Sequence, residues 1–325
     1  MTKTKTAIVI TAVTLVLLIA LESSARVYIG WQRGNASIGL SERTQNLNYE
    51  PFTMWGKNLD LKSEKFIKNL PTGTFKILLL GASTAEGFDV RLLRDAFMKS
   101  MNKKVEVFNA ASGGFNARQE AISLVLIAEK IKPNLILVLD GANDVIHSTR
   151  PGVVVGTTYL DSTYRTILER PFLAPLIYLM QNSQLYNGVL SKFRRNGFQS
   201  FYSPEQTTKA ISVYLETRDF INHYANGTQT PIVFVLQPFV GFSLSEGDSN
   251  AKSIYSYREP AIVKGFEMIS NTTNSRICFI NSNEGLRKNR LKLSFSDDVH
   301  FKDLTGYRYL TGLFLAGYKK CYGTL

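Results

Sequence analysis

Short apolar runs separated by stretches of helical periodicity constrain the fold of this chain more than any other feature. A continuous apolar run such as Ile77–Leu80 is typical of a strand buried on both faces of a parallel sheet. Strands that alternate with helices predict right-handed crossovers within one such sheet. We therefore expect an α/β domain from Phe75 onward. Its predicted strands are Ile77–Leu80, Val105–Phe108, Leu135–Leu139, Ile232–Leu236 and Arg276–Ile280.

The segments between these runs carry the signals of helices. After Val90, apolar residues recur at the spacing of one helical face. The sequence Ser203-Pro-Glu-Gln206 combines a cap, a proline at the first helical position and a glutamine that closes a capping box. The predicted helices are one from Val90, Ala117–Ile131, one from Pro204 to Asn226–Gly227, one ending near Ser270, and Lys302–Tyr322.

The N terminus combines a basic flank with a long apolar segment. Two lysines precede the apolar run Ala7–Leu21. A helix that spans a bilayer needs about 20 residues, whereas a signal-peptide core needs about 7–15. Extension over Thr6–Ala25 reaches the spanning length. Both possibilities export the rest of the chain.

We expect residues 1–25 to be an uncleaved signal anchor whose basic end stays inside. The reason is that the amphipathic segment Arg26–Trp31 follows the apolar run directly. A cleaved signal peptide is the alternative, because Ser23 and Ala25 are small enough for a cleavage site.

The remainder divides into a polar segment and the α/β domain. Residues 26–74 are predicted to be a stalk or cover, because glycine, asparagine and proline punctuate them. The α/β domain is expected to span residues 75–325, with an insertion over about residues 147–201. This insertion contains the apolar segment Phe172–Met180 and a basic patch that includes Lys192, Arg194 and Arg195. It is a candidate lid or substrate-contacting element.

The charge of the chain favours anionic partners. Its 325 residues carry a net charge of +12, which suits phosphates, acidic glycans or membrane surfaces. No zinc-finger spacing, RNP-like stretch or long basic helix supports nucleic acid as the partner. The two cysteines, Cys278 and Cys321, fit either a disulfide or two buried thiols. No metal or cofactor is expected, because the three histidines are scattered and no Cys-x-x-Cys motif occurs.

Four short motifs follow the predicted strands and carry the residue types of nucleophilic catalysis. Ser83 follows the first strand, at the carboxyl end where open α/β sheets bind ligands. The second strand leads into Asn109-Ala-Ala-Ser-Gly-Gly-Phe-Asn116, and the third leads into Gly141-Ala-Asn-Asp144. Asp297-Asp-Val-His300 lies near the C terminus. Alone, each motif also fits ordinary turn or helix-cap chemistry, so only their joint occurrence is informative.

Together these motifs resemble the four sequence blocks of the SGNH (GDSL-type) hydrolase family, in the family's order. The resemblance covers Phe75 to the C terminus and implies a three-layer, flavodoxin-like sandwich with a five-stranded parallel sheet. It implies that Ser83 is the nucleophile, His300 the general base and Asp297 the carboxylate that orients the histidine.

The resemblance also implies an oxyanion hole. Its donors would be the backbone N–H groups of Ser83 and Gly114 and the side-chain amide of Asn143, with Gly113 as the alternative glycine. The family pattern has aspartate where this chain has Ala82. Because that aspartate is not a catalytic group, the departure bears on loop hydrogen bonding more than on activity.

Other polar residues near these motifs have plainer expected roles. Asp144 is expected to hydrogen-bond the loop, and Asp298 to be a solvated or structural carboxylate. His147 could line the site, whereas His223 is expected to pack or to face solvent.

The family resemblance and the N-terminal segment together predict a carboxylic ester hydrolase that is tethered to a membrane by one N-terminal helix and faces away from the cytoplasm. The expected substrates are short-chain esters, with acetyl favoured, on a glycan. The basic cluster of Arg287, Lys288, Arg290 and Lys292 precedes His300 and suggests an anionic glycan, although such runs are also common on solvated surfaces. The alternatives are O-acyl transfer, lipase or lysophospholipase activity, and a binding module without activity.

Overall fold

The computed structural model describes residues 3–32, 52–53, 66–148, 155–157, 169–173, 176, 183, 204–240, 259–272, 276–289, 293–296 and 299–323. These residues belong to two compact units. One unit is Met1–Leu47 with Ser162–Gln199, and the other is Asn48–Asp161 with Ser200–Leu325. Most of the predicted stalk and of the predicted insertion lies outside the described residues.

The first unit contains a long apolar helix, α1 (Lys3–Gln32). Its segment Thr4–Ala25 has a mean hydropathy of 2.2, and 0% of it is buried. The hydroxyl groups of Thr14 and Ser24 each donate to a carbonyl oxygen one turn earlier, at 2.8 Å, so their polar atoms are satisfied within the helix. The helix is long and apolar enough to cross a membrane, a property that signal sequences share.

The second unit is built around a five-stranded sheet with the strand order β2-β1-β3-β4-β5. All four strand pairings are parallel. The side chains of β3 and β4 are buried throughout, as their continuous apolar runs predict. This sheet confirms the predicted fold class. The strands are β1 (Phe75–Gly81), β2 (Val105–Asn109), β3 (Leu135–Asp140), β4 (Ile232–Leu236) and β5 (Phe279–Asn281).

Helices cover both faces of this sheet and complete three layers. They are α2 (Ser83–Glu86), α3 (Val90–Met101), α4 (Ala117–Ile131), α5 (Ala142–Ser148), α6 (Pro204–Gly227), α7 (Glu259–Asn271), α8 (Ser282–Asn289) and α9 (Leu304–Tyr322). Side chains of α3 and α9 pack with Ile77 and Leu79 on one face. Side chains of α4 and α6 pack with Leu78 and Leu80 on the other face.

Side-chain caps fix where the helices near the sheet begin. Asn116 caps α4 in a capping box with Gln119. Asp89 caps α3 and Asp303 caps α9, each by accepting a hydrogen bond from a backbone N–H of the first turn. These caps account for the agreement between the observed and predicted starts of α3 and α4.

The C-terminal part of the sheet differs from the prediction in two places. β5 begins at Phe279 rather than Arg276, because its pairing with β4 starts where the Phe234 N–H donates to the Cys278 carbonyl oxygen at 2.9 Å. The sequence pattern does not predict α8, since this helix is short and largely polar. Its first residue, Ser282, is nevertheless buried and donates to the Leu236 carbonyl oxygen at 2.5 Å.

Cys278 and Cys321 form a disulfide, with their Cα atoms 5.9 Å apart. The bond joins the residue before β5 to the last turn of α9. The structure thus decides between the disulfide and the two thiols that the sequence leaves open. Because disulfides persist in oxidising compartments, this bond and α1 are both consistent with an extracytoplasmic location.

Candidate active site

The carboxyl ends of β1, β2 and β3 lie where the strand order reverses. β1 is between β2 and β3, so successive strands are added on opposite sides of it. Open α/β sheets bind ligands in the crevice at such a switch point. The segments that contain Ser83, Gly114 and Asn143 leave the sheet there, one after each of these strands.

Ser83 is the first residue of the one-turn helix α2. β1 ends at Gly81, whose φ of +149° disfavours other residues, and a Cβ at this position would overlap the carbonyl oxygen of Leu139. The glycine therefore lets β1 end in close contact with β3. Ala82 then caps α2 without a side-chain hydrogen bond, and Ser83 is left half-buried among small residues.

His300 lies against Ser83, although 217 residues separate them in the chain. The imidazole Nε2 is 2.6 Å from the serine Oγ, which is within hydrogen-bond distance. A short antiparallel bridge between Phe295 and Phe301 holds the segment that carries the histidine. Within it, the Ser296 N–H donates to the His300 carbonyl oxygen at 2.8 Å.

Two adjacent glycines follow β2, and Gly113 lies beside the serine. Gly114 has a φ of +80°, a conformation that side-chain-bearing residues rarely adopt. At Gly113, an added Cβ would lie 2.9 Å from a carboxylate oxygen of Glu86 and 4.0 Å from the Cβ of Ser83. A Cβ at Gly113 would thus make only ordinary van der Waals contact with Ser83, but it would require the Glu86 carboxylate to shift. The backbone of this segment passes close enough to Ser83 for a backbone N–H to serve as a donor to a substrate oxygen.

Asn143 is tied to the same glycine-containing segment. Its Nδ2 donates to the carbonyl oxygen of Phe115 at 2.7 Å. An amide nitrogen carries two hydrogens, so this bond orients the group while a second donor remains on it. Asp144 accepts a hydrogen bond from the N–H of Ala117, with both carboxylate oxygens at 3.3 Å, as expected for a residue that braces the loop.

Asn109 holds the turn around Ser83 from the neighbouring strand. Its Nδ2 donates to the Ala85 carbonyl oxygen at 2.8 Å, and its Oδ1 accepts from the Ala111 N–H at 3.0 Å. Ala82 is buried and has no polar side-chain atom to supply such bonds. Sequence reasoning did not assign this role to Asn109, although an asparagine at a strand end before small residues is a known turn signal.

Buried charged groups lie on the α4 and α6 side of the sheet, beside the end of β3. Tyr214 donates to a carboxylate oxygen of Asp140 at 2.9 Å. Burial and the nearby Asp144 raise the pKa of Asp140 to about 7, and the Tyr214 hydrogen bond and then Arg218 oppose this increase. Burial also raises the pKa of Asp144 to about 6. The pKa of Glu120 is raised well above its usual value, mainly by burial and then by the two aspartates.

The structure describes part of the predicted site. Asp297 and Asp298 lie outside the described residues, and so does the side chain of His147. His223 is exposed, with its Nδ1 2.7 Å from the Asp219 carbonyl oxygen of the same helix. Within the described part of the chain, no group of three His, Cys, Asp or Glu side chains could hold a metal ion.

Comparisons with known proteins give likenesses of fold at low sequence identity. Neither a family model nor a curated protein matches the sequence. Among solved structures, a catalytic mutant of an acetylxylan esterase from Geobacillus stearothermophilus is 12% identical, with 76% of this chain and 96% of that chain covered and a TM-score of 0.44. A GDSL-like lipase from Bacteroides thetaiotaomicron is 13% identical, with coverages of 80% and 96% and a TM-score of 0.44. A lipase/acylhydrolase from Enterococcus faecalis is 14% identical, with 76% of this chain and 96% of that chain covered and a TM-score of 0.43.

Proposed function

We propose that this protein is a serine ester hydrolase of the SGNH type. The observation that carries the proposal is the 2.6 Å distance between the Ser83 Oγ and the His300 Nε2 at the carboxyl end of β1. A serine hydroxyl is a weak nucleophile and needs a base within hydrogen-bond reach. The order and content of the four sequence motifs support the same roles. They also support Asp297 as the carboxylate that orients the histidine.

In the proposed reaction, His300 removes the proton from Ser83 as the serine oxygen attacks the ester carbonyl carbon. The oxyanion that forms is stabilised by the backbone N–H groups of Ser83 and Gly114 and by the amide of Asn143. His300 then donates the proton to the leaving alcohol, and an acyl group remains on Ser83. Water, activated by the same histidine, attacks this acyl group, which releases the carboxylic acid and restores the serine.

The proposed substrates are short acyl esters, with acetyl favoured, on an anionic glycan outside the cytoplasm. The long apolar helix α1 and the disulfide support export, with α1 as an uncleaved anchor. Arg287 and Lys288 lie at the end of α8, shortly before the segment that carries His300. Positive charge beside the site would attract an acidic polymer. The same acyl-enzyme would support O-acyl transfer if a sugar hydroxyl replaced water.

The test of the reaction is hydrolysis of chromogenic esters, from acetyl to long-chain, by the full-length protein in mild detergent. Turnover should be fastest for acetyl, and a preference for long chains would indicate lipase activity instead. Ser83→Ala and His300→Ala should each lower kcat by at least about 10³-fold. His223→Ala is the matched control, because among the described residues this exposed histidine bonds only its own helix. Full activity of Ser83→Ala would refute the proposed nucleophile.

The test of the substrate class compares acetylated acidic and neutral glycans at low and high salt. The acidic polymer should be turned over faster at low salt, and the advantage should shrink as salt screens the attraction. Neutralisation of Arg287, Lys288 and Arg290 should have the same effect as salt. Equal turnover of both polymers under all conditions would leave these residues as ordinary surface.

A further inference from the structure

A buried hydrogen bond joins the residue after Ser83 to the residue before His300. Thr84 is fully buried, and its hydroxyl donates to the carbonyl oxygen of Val299 at 3.1 Å. Ser83 and His300 are the sequence neighbours of these two residues, and they face each other at 2.6 Å. The turn that carries the serine and the segment that carries the histidine are therefore linked through two adjacent pairs of residues.

The end of β4 supplies the third member of this arrangement. Gln237 follows β4, is 1% exposed, and donates from its Nε2 to the hydroxyl oxygen of Thr84. Its own main chain is fixed, because its N–H donates to the Asp140 carbonyl oxygen at 2.9 Å and its carbonyl oxygen accepts from Asn283 at 3.2 Å. A hydroxyl can accept one hydrogen bond and donate another, so Gln237 directs the Thr84 hydroxyl towards Val299.

Packing alone does not account for a threonine at this position. Ala82 and Ala85 next to it are buried apolar residues, and valine has the same branched shape without a polar atom. A buried hydroxyl is costly unless it is hydrogen-bonded. Thr311, another buried threonine, satisfies its hydroxyl within its own helix by donating to Tyr307 at 2.8 Å. The bonds of Thr84 instead connect three segments that are distant in the sequence.

We propose that Thr84 and Gln237 are positioning residues that set the distance between the His300 imidazole and the Ser83 hydroxyl. This inference rests on the proposed function of Ser83 and His300. Neither residue is placed at the reacting atoms, and both act through the Val299 carbonyl. A displacement of about 1 Å in a catalytic group can cost about 10²-fold in rate. Loss of the Thr84 hydroxyl should therefore lower kcat and leave KM nearly unchanged.

The kinetic test compares variants of the full-length protein with matched controls. Thr84→Val and Gln237→Leu should each lower kcat by about 10- to 100-fold with KM changed by less than about threefold. Thr84→Ser keeps the hydroxyl and should retain most of the activity. Thr311→Val removes a buried hydroxyl that, in the described part of the chain, bonds only its own helix, and it should leave kcat unchanged. Thermal unfolding of each variant shows whether it is folded.

A second readout needs no substrate. With ¹⁵N-labelled histidine, the protein contains only three labelled side chains, and one of them is the exposed His223. Thr84→Val should move the ring ¹⁵N signals of His300 and leave those of His223 in place. If the wild-type protein hydrolyses no ester, the proposed function fails, yet these signals still decide the positioning role.

Three results would overturn the inference: wild-type kcat in folded Thr84→Val, unchanged His300 signals in that variant, or a Thr84→Ser variant as impaired as Thr84→Val.

Discussion

The two faces of the sheet bury different kinds of side chain. The face under α3 and α9 is apolar and is filled by aromatic rings such as Phe97 and Phe314. The opposite face is also largely apolar, but it buries Glu120, Asp140 and Arg218 as well. Among the described residues, no group donates a hydrogen bond to either carboxylate oxygen of Glu120. The first face therefore stabilises the fold mainly by burying apolar surface, whereas the second carries a cost that depends on protonation.

The costly part of the second face lies next to the proposed site. Asp140 is the last residue of β3, and it is followed closely by the first turn of α5, which contains Asn143 and Asp144. Asp144 holds the start of α4, and Asn143 holds the backbone after Gly114 through Phe115. Polar groups with perturbed pKa values concentrate at functional sites, because such sites need charge where a core would exclude it. The face under α3 and α9 therefore mainly stabilises the fold, whereas the face under α4 and α6 also holds the segments that follow β2 and β3 at the proposed site.

Truncation of a ring on the apolar face should have the largest effect on stability. Phe314→Ala should lower the free energy of unfolding by about 3–5 kcal/mol, because it removes a fully buried ring and leaves a cavity. The loss should be the same at pH 5 and pH 7.5, since the ring is surrounded by apolar side chains. Urea unfolding of the full-length protein in detergent measures it. Phe220→Ala, at a ring that is 52% exposed, is the control and should cost much less. A cost that varied with pH would break the comparison between the two faces.

The disulfide should contribute the next largest effect. Cys278 packs in the core of the apolar face, and its bond to Cys321 closes a loop with a sequence separation of 43. A closed loop of this size is worth about 2–4 kcal/mol through restriction of the unfolded chain. Cys321→Ser, the substitution at the exposed end, should therefore lower the unfolding temperature of the oxidised protein. Reductant should lower the unfolding temperature of the wild type by the same amount as the substitution does. It should not change the unfolding temperature of the variant. Identical unfolding temperatures for wild type and variant would show that the bond does not stabilise the fold.

The apolar framework could be predicted from the sequence because its signals are local. Ala117–Ile131 is observed with the predicted bounds, since helical periodicity and a capping asparagine both act over a few residues. β5 could not be placed as well, because an edge strand of three residues takes its start from pairing with β4. The structure also places Ser83 beside His300, and the catalytic roles of these two residues and of Asp297 stay predictions.

The polar contacts on the second face could not be predicted in this way. Glu120 and Arg218 belong to amphipathic helices, where a charged residue ordinarily faces solvent. Their burial depends on how α4 and α6 pack together and on the sheet, which no local pattern specifies. The bond from Gln237 to Thr84 likewise spans 153 residues and has no periodic signature.

Neutralisation of Asp140 should change how stability depends on pH, and it tests the second face directly. Its pKa of about 7 means that the carboxyl holds a proton more tightly in the folded protein than in the unfolded chain. Its contribution to stability is therefore complete below the ordinary pKa of 3.8 and is lost as pH rises towards 7. In Asp140→Asn, the side-chain oxygen can still accept the hydrogen bond from Tyr214. The amide does not lose a proton as pH rises, whereas the carboxyl of the wild type does. The decrease in the free energy of unfolding between pH 4 and pH 7.5 should be smaller in this variant by at least about 1 kcal/mol.

The difference between the two pH values carries this test, because the substitution can also change stability by an amount that does not depend on pH. Burial still raises the pKa values of Asp144 and Glu120 in this variant, so part of the pH dependence should remain. Glu129→Gln is the control, since it neutralises an exposed carboxylate of α4 and should leave the dependence unchanged. If Asp140→Asn lost as much stability as the wild type over this pH range, the buried charges would not distinguish the two faces. The cost of the second face would then have to lie in its unpartnered polar atoms, whatever their protonation.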